Sequence, residues 1–314
     1  MNSNKSILSK KSWLCLTALV CCLLWGSAAP CIKIGYRLFE ISAEDSISQI
    51  LFAGLRFFLA GVLSILLGSI PGKKILLPKK NSGKMIAVLA LFQTVIQYVF
   101  YYIGVAHTSG FKTSVINGSA TFVTIIIAAL IFHSEKLTLR KIAGCLMGFA
   151  GIVLINLRSG SNLGTFNPMG DGFLLIAVVS YSVSSCFIKR FSSRENPVVL
   201  SGYQFLFGGF IMALAAFLLG GRLSSDSAGA WLMLIYLGLL SAVAYTLWSL
   251  LLKYNDVSSV SIYIPMNPVF GVLLSAWLLD EGSSIDWIKC IAALALVTAG
   301  VLIVNLKKGR LFSA

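Results

Sequence analysis

"AGIVLINL" closes an apolar stretch at Ala150–Leu157, and "AGVLIVNL" closes another at Ala299–Leu306. The two phrases lie 149 residues apart and agree at Ala150/Ala299, Gly151/Gly300, Asn156/Asn305 and Leu157/Leu306; elsewhere they only exchange Ile, Val and Leu. In a chain of 314 residues that is 57% hydrophobic, such a likeness gains meaning only if its surroundings repeat too. They do. "WGSAAPCIK" (Trp25–Lys33) aligns with "YSVSSCFIK" (Tyr181–Lys189), "LRFFLAG" (Leu55–Gly61) with "YQFLFGG" (Tyr203–Gly209), and "QYVFY" (Gln97–Tyr101) with "AYTLW" (Ala244–Trp248). Glu135 and Glu281 close the next pair of segments, and all five matches keep their order at offsets between 146 and 156.

Only 11% of the residues are charged, against about 25% in ordinary soluble domains. So few charges cannot cover a water-soluble surface, and apolar stretches of the roughly 20 residues needed to cross a bilayer recur along the whole chain. The sequence therefore reads as an all-α membrane protein, because open strand edges cannot face lipid. The seven cysteines all fall inside apolar segments without a CxxC pair, which reads as small buried residues and not as a disulfide or metal framework. Lys5, Lys10 and Lys11 followed by "GSAAP" (Gly26–Pro30) imitate a cleavable leader. The apolar run continues to Ile34, however, and its removal would spoil the repeat, so it is read as the first span.

Ten spans are expected, over roughly 13–33, 47–68, 84–105, 110–132, 139–157, 171–190, 198–220, 230–252, 258–279 and 286–305. With the N-terminus in the cytoplasm, the segments Lys5–Lys11, Lys73–Lys84, Lys136–Lys141, Lys189–Arg194, Lys253 and Lys307–Arg310 all lie inside. They hold 18 of the 25 Lys and Arg residues, the outer segments hold 6, and Arg56 lies within a span. The net charge of +14 is thus explained by cytoplasmic loops and does not call for a nucleic-acid partner. The expected protein is a multi-pass protein of the cell membrane with both termini cytoplasmic.

Five spans per half is an odd number, so the second half must enter the membrane upside down. The expected fold is two inverted five-helix repeats, residues 13–157 and 170–306, joined by a polar linker over 158–169. Inverted repeats place a substrate site near the midplane, between the halves.

These segments resemble the EamA family of ten-helix permeases in the drug/metabolite transporter superfamily. The likeness is carried by "LLWGS" (Leu23–Ser27), "LRF" (Leu55–Phe57), "SEKLTLRKIAG" (Ser134–Gly144), "GDGFLL" (Gly170–Leu175), "NPVFGVLLSAWLLDE" (Asn267–Glu281) and the two closing phrases. It implies a carrier of small organic metabolites working by alternating access, with efflux of amino acids or related metabolites as the leading expectation. A lipid or polyprenyl-carrier flippase is the rival within the same architecture. One departure is "SATF" (Ser119–Phe122), where the family often has a proline, as in "MNPV" of the second half.

The candidate substrate-binding residues are those whose polarity or aromaticity must turn inward within a bilayer. Arg56 is the single charge well inside a span. Its cost of about 2.5–3.5 kcal/mol at a helix centre needs an offset, and two readings stand: a contact to a substrate carboxylate, or an interhelical clamp. Gln93, Gln97 and Tyr101 share an i, i+4, i+8 face of the third span, and Gln204 is the repeat mate of Arg56. Asn117, with Thr121 and Thr124, lines the fourth span; Tyr245 and Trp248 line the eighth, and Tyr263 and Asn267 the ninth. Trp25 and Tyr181 are expected to face each other across the repeat. Gly144, Gly148 and Gly151, with Ala292, Ala295 and Ala299, read as a close-packing stripe between spans five and ten.

All eleven acidic residues lie in loops or at span ends, and the two histidines, His107 and His133, fall at opposite faces. No buried acid relay or His-pair metal site is expected, and "GDGFLL" lacks the third glycine of a dinucleotide loop. The expectation is a non-enzymatic carrier with a small-molecule substrate, embedded in the lipid bilayer, without cofactor or metal.

Overall fold

The structure, a computed structural model, describes residues 11–42, 44–70, 73–108, 113, 116–156, 166–278 and 287–305. Among the described residues every regular element is helical. Helix α1 runs over Lys11–Leu38 and α2 over Ser46–Ser69. Helix α3 runs over Gly83–Leu89, passes through a π-helical stretch at Ala90–Ile96, and continues over Gln97–Ala106. Then follow α4 (Ala120–Leu130), α5 (Leu139–Asn156), α6 (Phe173–Phe191), α7 (Pro197–Leu218), α8 (Ala228–Tyr254), α9 (Met266–Leu278) and α10 (Trp287–Asn305). Six of these, α1, α2, α3, α6, α7 and α8, are long and apolar enough to cross a membrane.

Local chemistry sets the ends. The Ser48 N–H donates to Asp45 at 2.9 Å, capping α2. Asn196 accepts from the Val198 N–H at 2.9 Å with Pro197 as the first helical residue, a residue type whose missing N–H costs nothing there. Gly220 adopts a φ of +93° just beyond α7, the left-handed conformation that ends helices. The expected ninth span is not one helix. A short helix, Val257–Ser261, is separated from α9 by a turn ending at Pro265, because proline donates no N–H and pushes the preceding residue out of the helical region.

Loops gather at two ends. At one end the Lys79 N–H and Ser82 hydroxyl donate to Glu195 at 2.9 and 2.5 Å. There too Ser258 donates to Glu135 through its N–H at 3.1 Å and through its hydroxyl, and Lys141 pairs with Glu135 at 2.6 Å. Burial raises the Glu135 pKa, but the bonds from Lys141 and Ser258 outweigh it and hold the carboxyl below its usual value. At the other end Thr108 donates to Asp171 at 2.6 Å, Ser225 to the Leu38 carbonyl at 2.9 Å, and the Arg222 N–H to Ser48 at 3.0 Å.

The packing is reciprocal. Helix α1 lies against α8 and α9, while α6 lies against α3 and α4; α2 pairs with α7, and α5 with α10. Single contacts recur at the sequence offset. A Cβ on Gly209 would strike the backbone of Gly54 and Phe57, and one on Gly61 the backbone of Gly202 and Leu206. Gly54/Gly202 and Gly61/Gly209 are both 148 apart. In α5 and α10, Gly144 meets Gly300 and Gly151 meets the Ala293 carbonyl, and Gly144/Ala293 and Gly151/Gly300 are both 149 apart. The glycine in each closing phrase is thus the point where one helix backbone approaches the other. The stripe on α10 is Ala293, Val297 and Gly300, all buried, while Ala295 is exposed. The buried face is therefore displaced by one to two residues from the expected Ala292, Ala295 and Ala299, and Gly300 and Ala293 make its closest approaches. Pro265 fills the space beside Gly148 instead.

Candidate functional site

The middle of the bundle is aromatic. Trp25, halfway along α1, packs edge-to-face on Tyr245 and Trp248 of α8, with ring centroids 5.0 and 4.9 Å apart. The Tyr98 and Tyr245 hydroxyls meet each other, and these two residues are repeat mates 147 apart. Phe57 and Phe205, mates at 148, stack at 5.2 Å and 18°. Phe57 also lies 4.2 Å from Tyr98, and its mate Phe205 lies 4.8 Å from Tyr245. Like residues from the two halves therefore meet face to face along one line through the bundle.

Polar pairs flank this aromatic layer. Arg56 Nε donates to the Ser241 hydroxyl oxygen at 3.0 Å, and Gln204 Nε2 donates to Gln93 Oε1 at 2.5 Å. Arg56/Gln204 and Gln93/Ser241 each differ by 148, one more than the 147 that relates Tyr98 to Tyr245 in the same two helices, so the two bonds correspond to within one residue. The first half holds a cation where the second holds an amide. Arg56 is only 3% exposed. Its guanidinium lies 5.2 Å from the Phe57 ring centroid, meets the Tyr102 hydroxyl, and sits in the electrostatic neighbourhood of Tyr36, Tyr98, Tyr101 and Tyr245. Among the described residues no carboxylate is paired with it.

Several polar atoms in this region have no partner although they are buried: Trp25 Nε1, Trp248 Nε1, Gln97 Oε1 and Asn267 Oδ1, with Gln93 Nε2 and Gln204 Oε1 on the amide side. Orphaned buried polar groups each cost about 1–3 kcal/mol, and native proteins keep few of them. Tyr36, Tyr181, Thr94, Thr246, Ser64 and Ser261 also carry buried polar atoms without a partner among the described residues. Trp25, Gln97, Tyr98, Tyr101, Asn117, Tyr181 and Asn267 are half-buried, so the layer is not packed shut.

The structure brings most of the expected residues together, with four corrections. Gln93 and Gln97, one turn apart, meet different helices. The π-helical stretch widens the turn between Gln93 and Gln97, which sends Gln93, fully buried, into the α3–α7 contact and leaves the Gln97 amide facing the Tyr245 hydroxyl. Trp25 takes its ring contacts from α8 and not from Tyr181, which lies near Tyr98 and Tyr245 instead. Thr121 and Thr124 are helix-packing groups, donating to the Ser261 carbonyl at 3.0 Å and to the Ser182 hydroxyl at 2.9 Å, while Asn117 of that face reaches Tyr101. Tyr263, 5% exposed, points toward Cys15 on α1 and belongs to the core. Sequence reading passed over Tyr98, Phe57, Phe205 and Ser241. The aligned pair Tyr98/Tyr245 carried the available signal, an identical aromatic in both halves.

A bundle of long apolar helices enclosing a polar-aromatic centre has the form of a membrane transporter. The chain belongs to the EamA-like transporter family, whose sequence model matches residues 12–157 and 168–306. It is 28% identical over 305 residues to an uncharacterized transporter of Archaeoglobus fulgidus, covering 95% of this chain and 100% of that one. It is 27% identical over 297 residues to the uncharacterized inner membrane transporter YedA of Escherichia coli K12, covering 91% and 88%. A solved crystal structure superposes with a TM-score of 0.77 at 21% identity, over 97% of this chain and all of that one.

Proposed function

We propose that the chain carries a small polar or amphipathic organic solute across the cell membrane by alternating access. Two inverted five-helix repeats, 13–157 and 170–306, would rock about the aromatic layer. The observation that carries this reading is the set of unpartnered donors and acceptors around Trp25, Trp248, Gln97 and Asn267, at the level where Tyr98 meets Tyr245. Indole N–H groups would receive the solute's acceptors, Gln97 and Asn267 its donors, and the rings its apolar body. The inverted arrangement is supported by bonds that recur at a constant offset, Arg56–Ser241 against Gln204–Gln93. Rotation about an in-plane axis exchanges such pairs.

The end bearing Lys79, Lys141 and Arg194 is the cytoplasmic one on the charge rule, which puts both termini inside. Amino acids or related metabolites are the leading solute class, and efflux the leading direction. The test is counterflow in proteoliposomes loaded in turn with amino acids, nucleosides, sugars and organic acids. Exchange of one class supports the carrier. Lipid scrambling without solute exchange would replace it with a flippase.

A further inference from the structure

At the Lys-rich end, a cleft of about 470 Å³ opens where α6 stops, α7 begins and α8 ends. Its lining includes Lys79, Arg194, Lys253, Tyr254, Leu250 and Glu195. The single carboxylate in the cleft is already occupied. Glu195 accepts from the Lys79 N–H, the Ser82 hydroxyl and the Asn196 N–H, at 2.9, 2.5 and 2.7 Å, and it is only 4% exposed. Lys79 lends its charge to Glu195, and Arg194 and Lys253 add two further cations to the cleft.

One of them is held in place, because Lys79 Nζ donates to the Arg194 carbonyl at 2.6 Å. That bond ties the approach to α3 to the α6–α7 loop and leaves the lysine two further donors. Lys253 Nζ lies 5.5 Å from the Tyr254 ring centroid. Tyr254 is 41% exposed at the last turn of α8, with Leu250 one turn deeper. The cleft thus joins three cations to an exposed aromatic at its rim and to an apolar side formed by Leu250, Pro197 and Val198.

We propose that this cleft binds the phosphate of an anionic phospholipid headgroup, with the acyl chains along α8. The apolar side and the rim tyrosine favour a lipid over a free phosphate ester, and basic clefts between helices on the cytoplasmic side suit that chemistry. The site is separate from the central aromatic layer and does not depend on the transport reading.

The test uses full-length protein stripped of lipid in neutral detergent. It is titrated with phosphatidylglycerol, with phosphatidylcholine of the same chains, and with glycerol 3-phosphate, and is read by native mass spectrometry and thermal unfolding. Phosphatidylglycerol is expected to be retained in preference to phosphatidylcholine. Arg194→Gln with Lys253→Gln should weaken that retention by about fivefold per cation removed. Lys73→Gln with Lys74→Gln, on the same end outside the cleft, should leave it unchanged. Melting of each variant without lipid checks its fold. Equal retention of the two lipids, equal loss in both double variants, or stabilisation by glycerol 3-phosphate as strong as by the lipid would each overturn the proposal.

Discussion

Replacing Arg56 by Gln makes the first half copy the second, where Gln204 occupies the same repeat position. Stability and transport should then part company. An arginine at the centre of a membrane helix costs about 2.5–3.5 kcal/mol to insert. Against this stand the bond to Ser241 at 3.0 Å and the contact with the Tyr102 hydroxyl, taken together as one charged-donor contribution of about 1.5–3 kcal/mol, and the contact with Phe57 at 5.2 Å, worth about 0.5–2 kcal/mol. These terms nearly cancel. Removal also orphans no donor, because the Ser241 hydroxyl donates to the Leu237 carbonyl at 2.9 Å and only accepts from Arg56. Gln and Arg have similar helix propensities. Unfolding of Arg56→Gln in detergent should therefore stay within about 1 kcal/mol of the unaltered protein, the residue left after that cancellation. On the solute-contact reading of Arg56, solute exchange in proteoliposomes should fall about tenfold or more, the loss of one charged hydrogen bond to the solute. A loss above about 3 kcal/mol, the scale for breaking a buried charge pair, would make Arg56 an interhelical clamp. A stable variant with full exchange would remove it from the site.

Gly209→Ala and Gly61→Ala should each destabilise by about 1–3 kcal/mol, since the new methyl meets backbone of the facing helix; Gly83→Ala, with nothing within 4 Å of its would-be Cβ, should be neutral or stabilising by about 0.4–1 kcal/mol. Glu135 has its pKa lowered by Lys141 and Ser258 against the opposing effect of burial. Its contribution is therefore fully present above the ordinary carboxylate value of about 4.3 and is lost as pH falls through the lowered one. Thermal melts between pH 7 and 3 should show an acid-side loss that Glu135→Gln reduces. Single cysteines at Ser193 and Ser224, exposed at opposite ends, should react differently with an impermeant maleimide on intact cells. Ser224→Cys should label at once and Ser193→Cys only after permeabilisation; the reverse pattern would invert the topology.

Helix placement was legible because it follows apolar length. The expected span 47–68 is helix Ser46–Ser69, and 139–157 is helix Leu139–Asn156. The glycines of the sequence repeat, Gly61 and Gly209 among them, meet facing helix backbone, as small residues at helical spacing suggest. The π-helical stretch was not legible, since "ALFQTVI" (Ala90–Ile96) has nothing that separates a widened turn from an ordinary one. Gln93 meets Gln204 of α7, while Gln97, one turn on, faces Tyr245 of α8. Aromatic partners were only half legible. An alignment names mates such as Tyr98 and Tyr245 but does not reveal that the two mates touch each other. For the same reason Phe57 and Phe205 read as ordinary apolar residues.

The most direct measurement is ligand-induced stabilisation of the purified protein across amino acids, nucleosides, sugars, organic acids and lipophilic cations, with Trp25→Phe and Trp248→Phe alongside. Each Phe variant keeps a ring but loses the unpartnered indole N–H together with part of the ring's volume, so its melting without solute is measured first and solute-induced shifts are read against that baseline. A solute completing the central layer, at about 100 times its Kd, should stabilise the unaltered protein by about 2.7 kcal/mol and both variants by less. No stabilisation by any class, or stabilisation that both variants keep in full, would contradict a solute site between Trp25, Trp248 and Tyr245.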